Sequence, residues 1–543
     1  MTQQITGGAF KLMLINAAAA IELHKREIND LNVFPVPDGD TGTNMSLTMG
    51  AGAKAIAESA PPTISNAAEI TASSLLRGAR GNSGVILSLL FRGFSKALKD
   101  YEAADASSFA TALLSGVDAA YKAVMKPAEG TILTVSRVVA GTAVSLSETE
   151  SDIETLLERV LAEGYAALAE TTNQNPVLKK AGVVDAGAKG YLYILDGMLK
   201  ALRGEVIEVM PDTVLAEKAI FSEFSAKDIL FMYCTEFIVS RESKKEPALL
   251  RGFLDKLGDS LVLVEDDEII KVHVHTNDPG AVLTEALAYG SLLTVKIENM
   301  KEQHTEKVFN EDHESEPEAV EAEPEKQYGV VAVCAGDGIM SVFGDLGVDN
   351  IVSGGQTMNP STDDILRKVN ATPSETVFVL PNNKNIIMAA EQCIPLTAKK
   401  VIVIPSRSIP QGISAMLSFD ATAPEDDNTE NMRAAAKNVH TVLITYAARD
   451  SEYDGYSIRE GEYLALLDDA LIVSTEDLSA AVETVASAIN GFSPEFVTVF
   501  SGEGVSESET EDVVSRFSAA VPTAETSAIF GGQPVYRFIV SAE

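Results

Sequence analysis

The sequence predicts a multidomain protein: an all-α amino-terminal domain, then a small α/β domain, then a larger α/β domain. Three observations predict it. The chain has 543 residues, 46% of them apolar, which is too long for one ordinary core and enough for several domains to bury their own. The spacing of apolar residues changes along the chain, from three-and-four to alternating or continuous runs. Residues 308–327 are mostly charged, proline or alanine, and so cannot bury enough apolar area to offset their ordering entropy.

Residues 1–205 read as helical. Segments near 7–29, 64–76, 84–99, 107–124, 151–170 and 187–203 carry apolar positions three and four apart and are rich in alanine and leucine. Short turns rich in Gly, Asn and Asp separate them, so the chemistry is expected on turns. The opening segment lacks a basic leader, apolar core and cleavage site and reads as a helix of the mature protein. Residues 220–305 change character. FMYCTEFIVS, SLVLVEDDEIIKVHVHT and LLTVKIENM read as strands, PALLRGFLDKLG and GAVLTEALAYG as helices. The acidic stretch 308–327 is a flexible tether by its like charges, with partner docking as the other reading. In residues 328–543 the apolar runs YGVVAVCA, TVFVLP, KKVIVIPS, TVLITYAA and EFVTVFSG predict an at least partly parallel sheet. Two GGQ tripeptides, at 354–356 and 531–533, hint at an internal duplication.

Bulk charge narrows the function. Acidic residues number 79 against 42 basic, a formal net charge of -37. That argues against general nucleic-acid or anionic-membrane binding. No uninterrupted apolar run reaches membrane-spanning length. Cys234, Cys334 and Cys393 lie far apart with no CxxC, which fits a reducing compartment. The cytoplasm is the expected location.

The stretch LNVFPVPDGDTGTNMSLTM, residues 31–49, carries the most chemistry. Pro35 and Pro37 stiffen the approach. Asp38 and Asp40 then place two carboxylates on a tight turn, and Gly42, Thr43 and Asn44 open a helix. Glycines and a helix start offer backbone N–H groups to an anion. Hard carboxylate oxygens suit Mg²⁺, which bridges phosphates in phosphoryl transfer. A surface turn followed by a helix cap would show the same residue types. There is no GxxxxGK[ST] and no GxGxxG.

A second constellation is Cys234 in FMYCTEF with His273 and His275 in KVHVHT. Residues two apart on a strand share a face, so the histidines converge while Val272 and Val274 face the core. One thiolate and two imidazoles make a three-ligand zinc set with an open fourth position. A buried cysteine beside two polar histidines is the alternative. Polar turns at GDG 336–338, GGQTMNPS 354–361, LPNNKN 380–385 and Ser406–Arg407 border apolar strands, where they either cradle a ligand or end the strands. Cys334 and Cys393 read as core.

PVPDGDTGTNM, RGARGNSG at 77–84, EGT at 129–131 and DAGAKG at 185–190 resemble the ATP-binding DhaL-type domain of dihydroxyacetone kinases. With YCTEF, GDSL, KVHVHT and IENM, nearly the whole chain is similar to the ATP-binding component of bacterial fatty-acid kinase. The resemblance implies an all-α helical barrel with nucleotide and two magnesium ions at its mouth. Asp38 and Asp40 match the metal ligands. Thr43, Asn44 and Met45 match the phosphate turn, Gly81, Asn82, Ser83 and Gly84 a second nucleotide turn, Thr131 a threonine near the phosphates, and Asp185 and Gly187 a further loop. The related kinases place a third aspartate where Asn32 stands here, which either coordinates weakly or stabilises the turn. The resemblance also implies Zn²⁺ on Cys234, His273 and His275, a DegV-type fatty-acid-binding partner docked on the carboxyl-terminal domain, a homodimer and a role in phospholipid synthesis. Asp38, Asp40, His273 and His275 are the candidate catalytic residues. The expected reaction is transfer of the ATP γ-phosphoryl group to a fatty-acid carboxylate. Phosphorylation of a small hydroxy-ketone, a non-catalytic nucleotide-binding regulator and a metal-dependent hydrolase are the competing readings.

Overall fold

The computed structural model describes residues 2–32, 39–124, 127–207, 231, 233–243, 245–265, 269–299, 322–355, 358–447, 449–453 and 456–543, with backbone alone for some strand residues of 234–299 and for Glu452. Residues 1–209 and 320–543 form one compact unit and residues 210–319 another.

The amino-terminal part is built from α1 (Gly7–Asp30), α2 (Thr41–Ala57), α3 (Ile64–Gly78), α4 (Gly81–Ala97), α5 (Ala106–Ala123), α6 (Ile132–Ser147), α7 (Ile153–Gln174), the short α8 (Pro176–Ala181) and α9 (Ala186–Leu202). In α1 the residues Phe10, Met13, Leu14, Ala17, Ile21 and Ile28 are buried, the three-and-four spacing of one helix face. Side-chain caps start several helices. Thr63 accepts from the Asn66 N–H, and Asp105 with Ser108 forms a reciprocal capping box. Helices α1 to α7 each pack on the next, and α9 packs on α7 and returns to α1, closing a ring. Strands β1 (Ile5–Thr6) and β2 (Ala103–Ala104) pair beside it. Helices α2 and α6 are absent from the helical segments read off the sequence, although a helical start at Gly42–Asn44 was expected. Helix α6, ILTVSRVVAGTAVSLS, is rich in β-branched residues, which lose side-chain freedom in a helix. Burial of Ile132, Val135, Val139 and Ala143 overrides that preference.

The second unit is an antiparallel sheet of β3 (Tyr233–Ser240), β4 (Gly258–Glu265), β5 (Ile269–Thr276) and β6 (Leu292–Asn299), in the order β4-β5-β3-β6. The run SLVLVEDDEIIKVHVHT is therefore two paired strands rather than one. Helices α10 (Pro247–Leu254) and α11 (Pro279–Ala286) cover it, and Leu250, Leu254, Val282 and Ala286 pack with Phe237, Val239, Ile270, Val272 and Val274.

The carboxyl-terminal part holds two sheets. The first is parallel, with β7 (Lys326–Cys334), β8 (Asn350–Ser353), β9 (Ser374–Leu380) and β10 (Lys400–Val403) in the order β10-β9-β7-β8. Helices α12 (Asp337–Asp345), α13 (Thr362–Ala371) and α14 (Ile387–Cys393) connect its strands. The second contains β11 (His440–Tyr446), β14 (Tyr463–Leu467), β15 (Ala470–Thr475), β16 (Phe496–Ser501), β17 (Glu525–Phe530) and β18 (Phe538–Ala542), in the order β15-β14-β11-β18-β16-β17, where only β16 and β17 run parallel. A hairpin of β12 (Ser451–Tyr453) and β13 (Tyr456–Ile458) stands apart. Helices α15 (Ile409–Leu417), α16 (Glu425–Asn438), α17 (Leu478–Asn490) and α18 (Glu507–Ala520) complete the layers. Lys326 and Gln327, read from sequence as the end of the acidic stretch, already belong to β7, where Lys326 pairs with Ser374 and its ammonium meets Asp349. Each GGQ tripeptide begins just after an edge strand that runs parallel to its neighbour. Val331, Val333, Val352, Ile365, Val377 and Val379 join the apolar cluster of the helical ring, so the two parts share a core.

Candidate active site

Four helices of the ring begin at the turns singled out in the sequence: α2 after Asp40, α4 after Arg80, α6 after Thr131 and α9 after Asp185. Their starts adjoin. A Cβ on Gly81 would lie 2.6 Å from Asn44 Nδ2, one on Gly190 would lie 2.7 Å from Met45 Sδ, and one on Gly187 would lie 3.5 Å from Ile132 Cβ. Helix α4 thus abuts α2, α2 abuts α9, and α9 abuts α6. A helix start presents the positive end of its dipole and N–H groups without a partner inside the helix, and those that side chains leave open favour an anion such as a polyphosphate.

Asp38 lies outside the described residues. Asp40 is the N-cap of α2 but makes no side-chain capping bond there. One of its carboxylate oxygens accepts instead from Asn359 Nδ2. The N–H groups of Gly42 and Thr43 are taken by Asn29 at the end of α1, whose Oδ1 accepts both at 2.7 and 3.2 Å while its Nδ2 donates to Thr43 Oγ1 at 3.0 Å. Two N–H groups that the sequence reading offered to phosphate are therefore already satisfied. Asn32 Oδ1 accepts from Thr41 Oγ1 at 2.8 Å, so its carboxamide braces the turn. Asn44 is 4% exposed, and Met45 is wholly buried against α9. Of Met45, only the backbone belongs to the turn.

Gly81 has φ +55, a left-handed conformation that suits glycine, and starts α4 with Asn82, Ser83 and Gly84 in the first turn. Gly84 lies against Thr48, whose hydroxyl bonds the Asn44 carbonyl at 2.7 Å. Thr131 caps α6 by backbone geometry, and its Oγ1 donates to the Ala128 carbonyl at 2.8 Å. Asp185 caps α9 by accepting from the Ala188 N–H at 2.7 Å. The residue is partly exposed, but protein surrounds its carboxyl, and burial pushes that carboxyl up to about 6 against the opposing pull of N–H groups from Ala188 and Ile132.

Two of the polar turns read from the sequence as able to cradle a ligand, 354–361 and 380–385, approach this end from the carboxyl-terminal part, as does Arg449, which the sequence did not single out. Arg80 Nη1 donates to the Asn359 carbonyl at 2.9 Å, and Asn82 Nδ2 donates to Asn385 Oδ1 at 3.3 Å. Thr362 N–H donates to the Ala79 carbonyl at 3.0 Å, beside a bridge between Arg80 and Ser361. Arg449 donates to the carbonyls of Asp30 and Asn32 at 3.0 and 2.8 Å. Gln356 and Thr357 of the first GGQT segment lie outside the described residues. The sequence marks the polar turn 354–361 as a whole, but no local pattern announces which element Asn29, Asn359 or Arg449 serves, because each acts on an element other than its own.

In the second unit Cys234 on β3 stands directly opposite His275 on β5, and His273 stands opposite Glu236. Cys234, His273 and His275 therefore share one face of the sheet. Val272 and Val274 are fully buried, and His275 is 5% exposed. The side chains of Cys234 and His273 lie outside the described residues, and among those described no group of three or more His, Cys, Asp or Glu gathers as a metal site. Cys334 and Cys393 are buried free thiols packed in the core, and burial pushes both above the ordinary thiol range.

Family profiles described as the DAK2 domain and as the middle and C-terminal domains of FakA-like fatty acid kinase proteins match residues 35–200, 230–307 and 329–543. Protein YloV of Bacillus subtilis is 42% identical over 551 residues, 99% of each chain. The chain belongs to the FakA-like fatty acid kinase family. A Staphylococcus saprophyticus member of comparable length is 39% identical over 552 residues, 100% of each chain. As a FakA-like fatty acid kinase protein, the chain is an ATP-dependent phosphotransferase acting on a fatty-acid carboxylate, and not a dihydroxyacetone-type kinase. ATP and Mg²⁺ use belongs to its kinase domain at the family level. Among solved structures, a DegV family protein from Corynebacterium glutamicum aligns with 40% of the chain and 97% of its own at TM-score 0.33 and 11% identity. The dihydroxyacetone kinase of C. freundii aligns with 40% of the chain and 48% of its own at TM-score 0.31 and 15% identity. Among the described residues no helix is long and apolar enough to cross a membrane.

Proposed function

We propose that the mouth formed by the starts of α2, α4, α6 and α9 holds ATP, with Asp38 and Asp40 holding magnesium, and that the acyl carboxylate reaches it from a DegV-type fatty-acid-binding partner in the cytoplasm. The observation that carries this reading is the adjoining of the four motif-bearing helix starts at one end of the ring. The donor chemistry fits: carboxylate oxygen from Asp40, and buried carboxamide oxygens on Asn82 and Asn359 that have no hydrogen-bond partner among the described residues, are hard ligands or acceptors for a hydrated divalent ion. Magnesium, when bound, supplies charge compensation to the phosphates.

The chain's own residues position and shield. Backbone N–H groups of Gly81, Asn82 and Ser83 line the polyphosphate path, and Thr43, Asn44, Gly84, Thr131, Asp185 and Gly187 shape its walls. The attacking carboxylate is already ionised, so its oxygen bonds to the γ-phosphorus as the bridging oxygen leaves with ADP. No side chain need remove a proton. The site's task is to let two anions meet, which preorganised dipoles accomplish.

Cys234, His273 and His275 form the proposed zinc site of the middle domain, supported by their shared sheet face and the direct pairing of Cys234 with His275. Leu293, Val295 and Ile297, 56%, 44% and 44% exposed on the edge strand β6, favour self-association as a homodimer.

The test is acyl phosphate formation from oleate, ATP and Mg²⁺ by the chain with its fatty-acid-binding partner. Product is expected only in the complete mixture, with loss of at least about a hundred-fold in Asp40→Ala. Full activity of Asp40→Ala would sink the metal assignment. For zinc, elemental analysis of the purified chain should find about one ion per chain, lost in Cys234→Ser.

A further inference from the structure

The proposed site draws on the amino-terminal helices, yet the carboxyl-terminal part holds both Asp30–Asn32 and Asp40. On one side Arg449 holds the Asp30 and Asn32 carbonyls. On the other, Asn359 is 1% exposed and donates through Nδ2 to Asp40 Oδ2. Arg80 fixes Asn359 in turn, with Nη1 on its carbonyl and Nη2 3.5 Å from Asp364. The amide also packs on the left-handed turn of α4, since a Cβ on Gly81 would lie 3.4 Å from Asn359 Nδ2.

A second observation points to a guest. Asn359 Oδ1 and Asn82 Oδ1 are both buried without a hydrogen-bond partner among the described residues. A buried carbonyl oxygen is normally satisfied. An unsatisfied oxygen on the amide that holds the Asp40 carboxylate suits a species that brings donors with positive charge, as the coordinated waters of a magnesium ion do.

We propose that Asn359, contributed by the carboxyl-terminal domain, is a positioning residue of the phosphoryl-transfer site: its Nδ2 orients Asp40 and its Oδ1 accepts from metal-bound water. This rests on Asp40 as a magnesium ligand. The carboxyl-terminal domain is then part of the kinase site, and a fatty-acid carrier docked on that domain bears on a loop that touches the metal ligand. Outer partners of this kind set ligand orientation and metal affinity.

The experiment is calorimetric titration of ATP into the full chain at graded Mg²⁺, reading the Mg²⁺ concentration at which ATP binding is half developed. Asn359→Ala should raise that midpoint about ten-fold. Asn359→Leu fills the same space without donor or acceptor and carries the same expectation if the alanine variant does not fold. Arg77→Ala removes a 3.4 Å contact to Asp363 in the same interface and should leave the midpoint at its wild-type value. A midpoint within about two-fold of wild type in Asn359→Ala, or an equal rise in Arg77→Ala, overturns the proposal. Asp40→Ala separates the two levels. If it too leaves the midpoint unmoved, the metal assignment fails. If it raises the midpoint while Asn359→Ala does not, only the positioning role fails.

Discussion

Asn29 lies in the last turn of α1, but its carboxamide serves α2, accepting from Gly42 and Thr43 and donating to Thr43. It takes the place of the side-chain cap that Asp40 does not provide. Asn29→Ala should therefore lower stability by about 1 kcal/mol, the usual worth of a cap, seen as a fall in Tm without nucleotide; an unchanged Tm would mean that Asp40 or water takes over. Asp185 yields a pH prediction. Its folded carboxyl, pushed by burial up to about 6, lies above the ordinary 3.8. Below about pH 4 both states hold the proton and its stabilising contribution is complete. Between about pH 4 and 6 the unfolded chain releases a proton that the folded one keeps, so stability falls as pH rises. Asp185→Asn, which can still cap α9, should gain on the wild type across that window and run parallel to it above. A difference flat from pH 4 to 7 would deny the shift. At this scale the sequence showed candidates grouped within one turn, such as Asp40 beside Gly42, Thr43 and Asn44. It marked the turn 354–361 without showing that Asn359 meets Asp40, and it hid Asn29 and Arg449, whose roles make sense only through an element that folding brings near.

At the scale of elements, legibility followed how far local preference agreed with packing. Helices α1, α3, α4, α5, α7 and α9 are rich in alanine and leucine with one apolar face, and periodicity found them. Helix α6 is disguised by its Val, Ile and Thr, and strands β4 and β5 by apolar runs parted only by the acidic residues 265–268. Strands β8, β14, β15, β17 and β18 are short or half-polar, and their strand character comes from ladder partners. Close helix contacts are likewise invisible until the chain folds. At the α4–α5 crossing a Cβ on Gly93 would lie 2.3 Å from the Ser115 carbonyl oxygen, and one on Gly116 would lie 2.4 Å from that of Leu90. The obstacle is backbone on both sides, so a methyl group must push the helices apart. Gly93→Ala should cost roughly 1–3 kcal/mol as overpacking, despite alanine's better helix propensity. A Tm equal to or above wild type would show that the crossing relaxes freely.

At the scale of the molecule, the compact unit is discontinuous in sequence: residues 1–209 and 320–543 fold together while residues 210–319 form their own unit. Sequence reading separated the parts by changes in composition but had no means of seeing that the first and last share a core, since no periodicity reports a contact across some hundred intervening residues. Two kinds of force join them. Arg77–Asp363 at 3.4 Å and Arg80–Asp364 at 3.5 Å are partly exposed pairs, worth little and screened by salt. Val331, Val333, Ile365 and Val379 instead belong to the same buried cluster as the helical ring, and apolar burial does not weaken with ionic strength. With site-specific protease sequences inserted within 210–220 and 308–320, cleavage should leave the amino- and carboxyl-terminal pieces co-eluting on size exclusion, even at about 0.5 M salt where exposed pairs are screened. They should part only when denaturant exposes the shared core. Separation in native buffer at high salt but not at low would mean that the ion pairs hold the junction. In that case Asn359 could not hold Asp40 steadily, and the metal midpoint of the intact chain should drift with salt. Co-elution together with a salt-independent midpoint would tie the rigidity of the kinase site to the apolar seam between its two halves.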